Sequence, residues 1–162
     1  MILFTFGTIQ FEYMKKYIKY VVYALLLFLV VAQFFPIDKT NPPADQSLDF
    51  VTIEQPTNVM ESIIKATCYD CHSHETKYPW YTNVAPVSWW VKGHIDNGVK
   101  KLNFSEWGAY SDKKRKHKLE ECVEFVEETR MPILSYIIAH SEARMSEEER
   151  TEMVAYFKTL QK

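Results

Sequence analysis

An unbroken apolar run near the N-terminus most constrains how this 162-residue chain can fold. Eleven consecutive apolar residues occupy positions 21–31, and Phe34 and Phe35 prolong the run. A helix that is apolar on every side has no polar face to turn toward water, so a core helix of a soluble domain explains this run poorly. Residues 14–35 are therefore predicted to form a signal-anchor or transmembrane helix.

The charges around this run predict its orientation. Lys15, Lys16 and Lys19 precede the run, whereas no positive excess follows it, so the N-terminus is expected to stay in the cytoplasm. No small-x-small cleavage site follows, which favours an uncleaved single-pass anchor over a removed signal peptide. Residues 1–13 are interpreted as a mis-called start or a short cytoplasmic tail. The expected location is the bacterial cytoplasmic (inner) membrane, with the rest of the chain on the periplasmic side.

The composition suits one folded domain and excludes one broad class of partner. With 47% hydrophobic residues the chain can bury a core. Its formal net charge of −2 at pH 7 lacks the basic surplus of nucleic-acid-binding proteins, so no nucleic-acid partner is expected. Three cysteines are an odd number and cannot all pair within one chain.

Two further segments follow the apolar run. Residues 36–56 contain four prolines among polar residues and are interpreted as a linker. Residues 57–162 show helical periodicity without an alternating strand pattern, which predicts an all-α domain. Four helices are expected in this domain. The first begins at a capping box of Asn58 and Glu61 and runs into Cys68, and the second begins at Pro86 and weakens near Asn97 and Gly98. The third runs from Ser111 or Asp112 to about Arg130, and the last begins at a capping box of Ser146 and Glu149.

The pentapeptide Cys68-Tyr69-Asp70-Cys71-His72 carries the chemistry of this domain. Cys-x-x-Cys-His is the attachment motif for c-type haem, in which both thiols add across vinyl groups and the histidine reaches the iron. Cys68 and Cys71 are therefore candidate attachment residues, and His72 is the candidate proximal iron ligand. One covalent haem c is the expected cofactor.

Other interpretations of the cysteine pair explain less of the motif. A thioredoxin-like redox site expects a βαβ setting and gives His72 no role, and a plain disulfide also leaves this histidine unexplained. A zinc site needs a fourth ligand, such as His74, Cys122 or His140, and the second half of the usual paired spacing is missing. Cys122 lies on the apolar face of the third helix and is interpreted as an inert core thiol.

The sixth position of the iron has several candidate ligands. Met131 is preferred because it stands at a helix end before a proline, in irregular chain that can fold over the second haem face. His140 is the leading histidine alternative, and an open or water-bound position is the third possibility. Met60 and Met153 fit apolar helix faces, whereas Met145 is harder to exclude.

Three blocks of sequence, TCYDCHSHETKYPWYTNVAPVSWW, LNFSEW and EETRMPILSYIIAHSEARMSEEER, together resemble the bacterial haem-binding domain family. The likeness covers about residues 57–160, with no departure in the attachment motif. It implies a cytochrome c-like, mostly helical fold with covalent haem at Cys68 and Cys71 and with His72 as the proximal ligand. It also implies that Met131 and the following proline lie near the distal side.

These observations predict a membrane-anchored monohaem c-type cytochrome that carries one electron between periplasmic or membrane redox proteins. An electron carrier is favoured over an enzyme. The alternatives are a haem peroxidase-type enzyme, with His140 or Glu142 as its acid-base group, and an accessory or sensor haem domain; both need an open sixth position. The expected partners are redox proteins and, through the N-terminal helix, the membrane.

Overall fold

The computed structural model describes the backbone of residues 3–161 and the side chains of residues 13–161. Within this range the chain is helical and contains no β-strand, so the expected all-α class is confirmed. The chain divides into two compact units. The first comprises Met1–Asp38 and Pro79–Lys92, and the second comprises Lys39–Tyr78 and Gly93–Lys162.

The α-helices of the described residues are numbered in chain order. They are α1 Leu3–Ala32, α2 Phe50–Glu54, α3 Asn58–Ile64, α4 Asp70–His72, α5 Val87–Lys101, α6 Asp112–Glu127, α7 Leu134–Ala139 and α8 Glu147–Thr159. Short 3₁₀ turns connect them at Gln46–Leu48, Trp80–Asn83, Phe104–Ala109 and Ser141–Ala143. A π-helical turn, Lys65–Tyr69, joins α3 to α4.

Helix α1 contains the apolar run, and its described apolar side chains are mostly exposed. Among the helices of residues 3–161, none is both long enough and apolar enough to cross a membrane. The transmembrane helix expected over residues 14–35 is therefore not found. The physical reason is that α1 ends at Ala32 and carries Lys15, Lys16 and Lys19 among its last 18 residues.

Hydrogen bonds within the first unit connect the end of α1 to the residues before and within α5. The Gln33 side-chain amide donates to the carbonyl of Ala85 over 2.9 Å and accepts from the Ala85 amide over 3.1 Å. The Trp89 indole N–H donates to the carbonyl of Phe35 over 2.8 Å. These bonds satisfy a backbone carbonyl after the end of α1 and two backbone groups just before α5.

Part of the segment interpreted as a linker packs into the core of the second unit. Phe50 in α2 is 0% exposed, and its ring lies edge-on to three other aromatic rings of the core. The centroid separations are 4.9 Å to Phe104, 5.1 Å to Trp107 and 6.2 Å to Phe157. The helix has only five residues, so it is too short to produce a visible helical period in the sequence.

The remaining helix boundaries follow the sequence with small differences. The capping box at Ser146 and Glu149 is present, as expected. Helix α3 is instead capped by Thr57, one residue before the expected Asn58, with the Thr57 hydroxyl accepting from the Met60 amide. Helices α6 and α8 pack together through buried side chains: Leu119, Val123, Val126, Met153, Val154 and Phe157.

The burial of Phe50 predicts the effect of removing its ring. Phe50→Ala is expected to lower the free energy of unfolding by about 3–5 kcal/mol, because it leaves a cavity among aromatic rings. Phe34→Ala is the matched control, since Phe34 is 78% exposed and its loss is expected to change stability by less than about 0.5 kcal/mol. Chemical denaturation followed by circular dichroism measures both variants. Equal stabilities would contradict the docking of α2 in the core.

Candidate cofactor site

A π-helical turn carries Cys68, and α4, which follows it directly, carries Cys71 and His72. Single π-helical turns, with hydrogen bonds between residues five apart, are often found at functional sites. The Thr67 hydroxyl donates to the carbonyl of Ile63 over 2.7 Å, and its oxygen lies 3.2 Å from the Cys68 sulfur. Because the single hydroxyl hydrogen is used on the carbonyl, the Cys68 thiol is the donor in the second contact.

The imidazole of His72 is held by two backbone carbonyls. Its Nδ1 lies 3.0 Å from the carbonyl oxygen of Gly98 and 3.2 Å from that of Leu102. Both partners are acceptors, so Nδ1 carries the hydrogen and Nε2 keeps its lone pair. Burial lowers the pKa of His72, which favours the neutral ring. A neutral imidazole with a fixed tautomer is the form that binds a metal.

Residues 65–72, which comprise the π-helical turn and α4, are called the attachment turn. Helix α5 approaches this turn at Gly98. A Cβ atom at this position would lie 2.2 Å from the carbonyl oxygen of Cys71, far inside van der Waals contact. Only glycine therefore permits this approach, which also brings the Gly98 and Leu102 carbonyls to His72. The expected weakening of the helix near Asn97 and Gly98 is not observed, because α5 continues to Lys101.

A cavity of about 510 Å³ lies in the second unit beside the attachment turn. Its wall is mostly apolar and includes Cys68 of the π-helical turn, Cys71 and His72 of α4, and Met131 on the segment between α6 and α7. This volume lies within the range of about 300–1,000 Å³ that is usual for small-molecule and cofactor sites. Two thiols, a neutral imidazole and a thioether in an apolar cavity form a donor set that fits a c-type haem.

The thiols do not have the properties of a redox-active pair. Burial raises the pKa of Cys68 to about 11, and burial together with the nearby Asp70 carboxylate raises that of Cys71 to about 11. Thioredoxin-like sites instead lower a thiol pKa to stabilise the thiolate. All three cysteines, including Cys122, are free thiols. Within the described residues, no group of three or more candidate metal ligands supports the zinc alternative.

The candidate distal ligands differ in whether they line the cavity. Met131 lines the cavity, and so does Met145, which the sequence left as harder to exclude. His140 is not among the lining residues; its Nδ1 lies 3.0 Å from a carboxylate oxygen of Glu142. His94 of α5, which has no motif to identify it, also lines the cavity.

Cys122 contacts the core and also forms part of the cavity wall, so it is not only a core thiol. Sequence reasoning also missed the contacts of Thr67 and Gly98 and the position of Tyr136 in the cavity wall. The available signal for Gly98 was its position in the middle of a helix. Glycine lowers helix stability there, so its presence indicates another requirement, such as a close approach of the backbone. The contacts of Thr67 are local but follow no recognised motif, whereas Tyr136 contacts residues far away in the chain.

Two glycines of α5 provide a direct test of this close approach. Gly98→Ala is expected to destabilise the protein by about 1–3 kcal/mol, because the new methyl group overlaps the Cys71 carbonyl. Gly93→Ala is the control on the same helix, since nothing lies within 4 Å of its Cβ position. That change is expected to stabilise the helix by up to about 1 kcal/mol. Thermal unfolding that ranks both variants equally would contradict the contact.

Comparison with known proteins agrees with this site. The chain matches the family described as haem-binding domain over residues 27–159, a range that includes the attachment turn and all the residues that line the cavity. The match begins ahead of residue 57, where the sequence interpretation places the start of the domain. Neither a search of curated proteins nor a search of solved structures finds a significant match. The chain therefore belongs to the haem-binding domain family.

Proposed function

We propose that this protein is a monohaem c-type cytochrome that carries one electron between redox proteins on the outer side of a bacterial cytoplasmic membrane. One observation carries the proposal: a single apolar cavity is lined by both thiols of a Cys-x-x-Cys-His motif, by its histidine and by a methionine from another element. The family match supports a haem-binding protein independently of this geometry.

Cys68 and Cys71 would hold the haem through two thioethers, and His72 would bind the iron through Nε2. The bound haem would supply a one-electron iron couple. The hydrogen bonds from Nδ1 to the Gly98 and Leu102 carbonyls keep the His72 ring oriented and increase its basicity as a ligand. Because these acceptors are backbone carbonyls, one in α5 and one directly after it, the orientation does not depend on a flexible side chain.

Met131 is the proposed distal ligand. Its thioether sulfur is a soft, neutral donor, and methionine together with histidine raises the reduction potential of haem iron. The segment that carries it is held by α8, since the Arg150 guanidinium donates to the carbonyl of Val126 over 2.9 Å and approaches that of Met131 at 3.4 Å. Met145 and Met153 also line the cavity. Met153 is 0% exposed in the core, so Met145 is the competing candidate.

An electron carrier is a better explanation than a peroxidase. Peroxidase chemistry needs an acid-base group beside an open iron position. The two residues considered for that role, His140 and Glu142, pair with each other and do not line the cavity. The mostly apolar wall, with a methionine in it, instead favours a site that excludes water around an iron with two protein ligands.

The location is part of the proposal. We propose that the described apolar side chains of α1, most of which are exposed, associate with the membrane and keep the haem domain at its outer surface. The lysines at positions 15, 16 and 19 would contact anionic lipid headgroups. Redox proteins at that surface are the proposed partners.

Covalent attachment predicts different outcomes for the three cysteines. In a host with cytochrome c maturation, Cys68→Ser and Cys71→Ser are each expected to lose one thioether, and the double variant is expected to lose all covalent haem. Cys122→Ser is the matched control and is expected to retain both thioethers. Haem staining after denaturing electrophoresis, pyridine haemochrome spectra and intact mass measure the result. Wild-type protein without covalent haem would overturn the c-type assignment.

Ligation by Met131 predicts a specific spectroscopic loss. Met131→Ala is expected to abolish the weak methionine-to-iron charge-transfer band at the red end of the oxidised spectrum and to permit carbon monoxide binding to reduced iron. Met145→Ala is the control from the same cavity wall and is expected to retain the band. If the band disappears in the Met145 variant and persists in the Met131 variant, the assignment of the distal ligand is reversed.

A further inference from the structure

Helix α7 follows the proposed distal ligand but has no buried residue of its own. Leu134 and Ile138, one turn apart on this helix, are 69% and 70% exposed. Burial of apolar side chains therefore contributes little to holding α7 in place. Contacts of another kind must therefore hold α7 against the rest of the second unit.

The Tyr136 side chain supplies such contacts. Its hydroxyl lies 2.8 Å from a carboxylate oxygen of Asp70 and 3.1 Å from the carbonyl oxygen of Ala66. The single hydroxyl hydrogen is donated to the nearer, charged acceptor, because hydrogen bonds to ionised groups are the stronger ones. Tyr136 also forms part of the cavity wall, and its ring stacks on His140 with 4.3 Å between centroids.

Asp70 stands between the two attachment cysteines and connects several segments. One carboxylate oxygen accepts from Tyr136, and the other accepts from the Lys77 amide over 3.1 Å. Its backbone carbonyl accepts from the Thr76 hydroxyl over 2.9 Å. The attachment turn, the loop that follows it and α7 are thus tied together at this one residue.

Met131 lies between two points at which its segment is held. On the N-terminal side, the Arg130 and Met131 amides donate to the carbonyl of Phe125 over 2.9 and 3.0 Å, and Arg150 reaches the same segment from α8. On the C-terminal side, Tyr136 binds the attachment turn. Loss of the second point removes the side-chain hydrogen bond that joins α7 to the attachment turn.

We propose that Tyr136 is a positioning residue, which holds the Met131–α7 segment against the attachment turn through its hydrogen bond to Asp70. The consequence for iron ligation rests on the proposed function, whereas the hydrogen bond itself does not. Burial and the neighbouring Asp70 charge raise the pKa of Tyr136, so the hydroxyl stays protonated and remains a donor.

The first test measures the segment itself by amide hydrogen exchange on the purified full chain. Tyr136→Phe keeps the ring and removes only the hydroxyl. The amides of Tyr136, Ile137 and His140, which bond within this segment, are expected to exchange at least about tenfold faster. The amides of Arg130 and Met131 are expected to change much less, because Phe125 still holds them.

Tyr156→Phe is the matched control, since its hydroxyl makes only a 3.4 Å contact with the carbonyl of Glu54. It is expected to leave exchange in residues 133–140 unchanged. If Tyr136→Phe also leaves that exchange unchanged, the proposal is overturned. This readout does not require haem, so it remains informative even if covalent haem attachment fails.

The second test uses haem-loaded protein. In Tyr136→Phe, the methionine-to-iron band is expected to be lost at a lower temperature than in the wild type and in Tyr156→Phe, and carbon monoxide is expected to bind faster to reduced iron. Faster exchange with an unchanged band and unchanged carbon monoxide binding would overturn the positioning role of Tyr136 toward the distal ligand.

A double-mutant cycle tests the assignment of Asp70 as the acceptor. Asp70→Ala is expected to speed exchange of the same α7 amides, and adding it to Tyr136→Phe is expected to produce little further effect there, since the two residues share one interaction. Fully additive effects on those amides would overturn the pairing.

Discussion

The site depends above all on the close contact between α5 and the attachment turn. Gly98 lets the helix backbone meet the Cys71 carbonyl, and the same approach places two carbonyl oxygens against Nδ1 of His72. A side chain at this position would push the helix away and remove both acceptors. One absent Cβ atom therefore determines the tautomer, orientation and basicity of the candidate iron ligand.

The rest of the second unit supports that contact from two directions. An aromatic core of Phe50, Phe104, Trp107 and Phe157 fills the region beside the attachment turn, and Tyr69 of the turn stacks on Phe104 with 5.4 Å between centroids. On the other side, Tyr136 ties the segment after α6 to Asp70. Apolar packing thus fixes the turn, whereas hydrogen bonds fix the more exposed distal segment.

Much of this site was predictable because its key residues are adjacent in the chain. Cys68, Cys71 and His72 form one short motif, and the cap at Ser146 and Glu149 is also local, so both were found without a structure. The docking of Phe50 was not predictable, since its helix is too short to show a period. The expected transmembrane helix is not found, because α1 ends at Ala32 and its apolar run is preceded closely by three lysines of the same helix.

The sequence by itself determined the helical class, the family resemblance and the donor set, because periodicity and motif spacing are properties of neighbouring residues. Tertiary structure decided which residues surround those donors. It brought Gly98 and Leu102 to His72, placed Met131 and Met145 in the cavity wall, and left His140 outside it. These contacts join residues far apart in the chain, and only the folded packing of helices brings them within bonding distance.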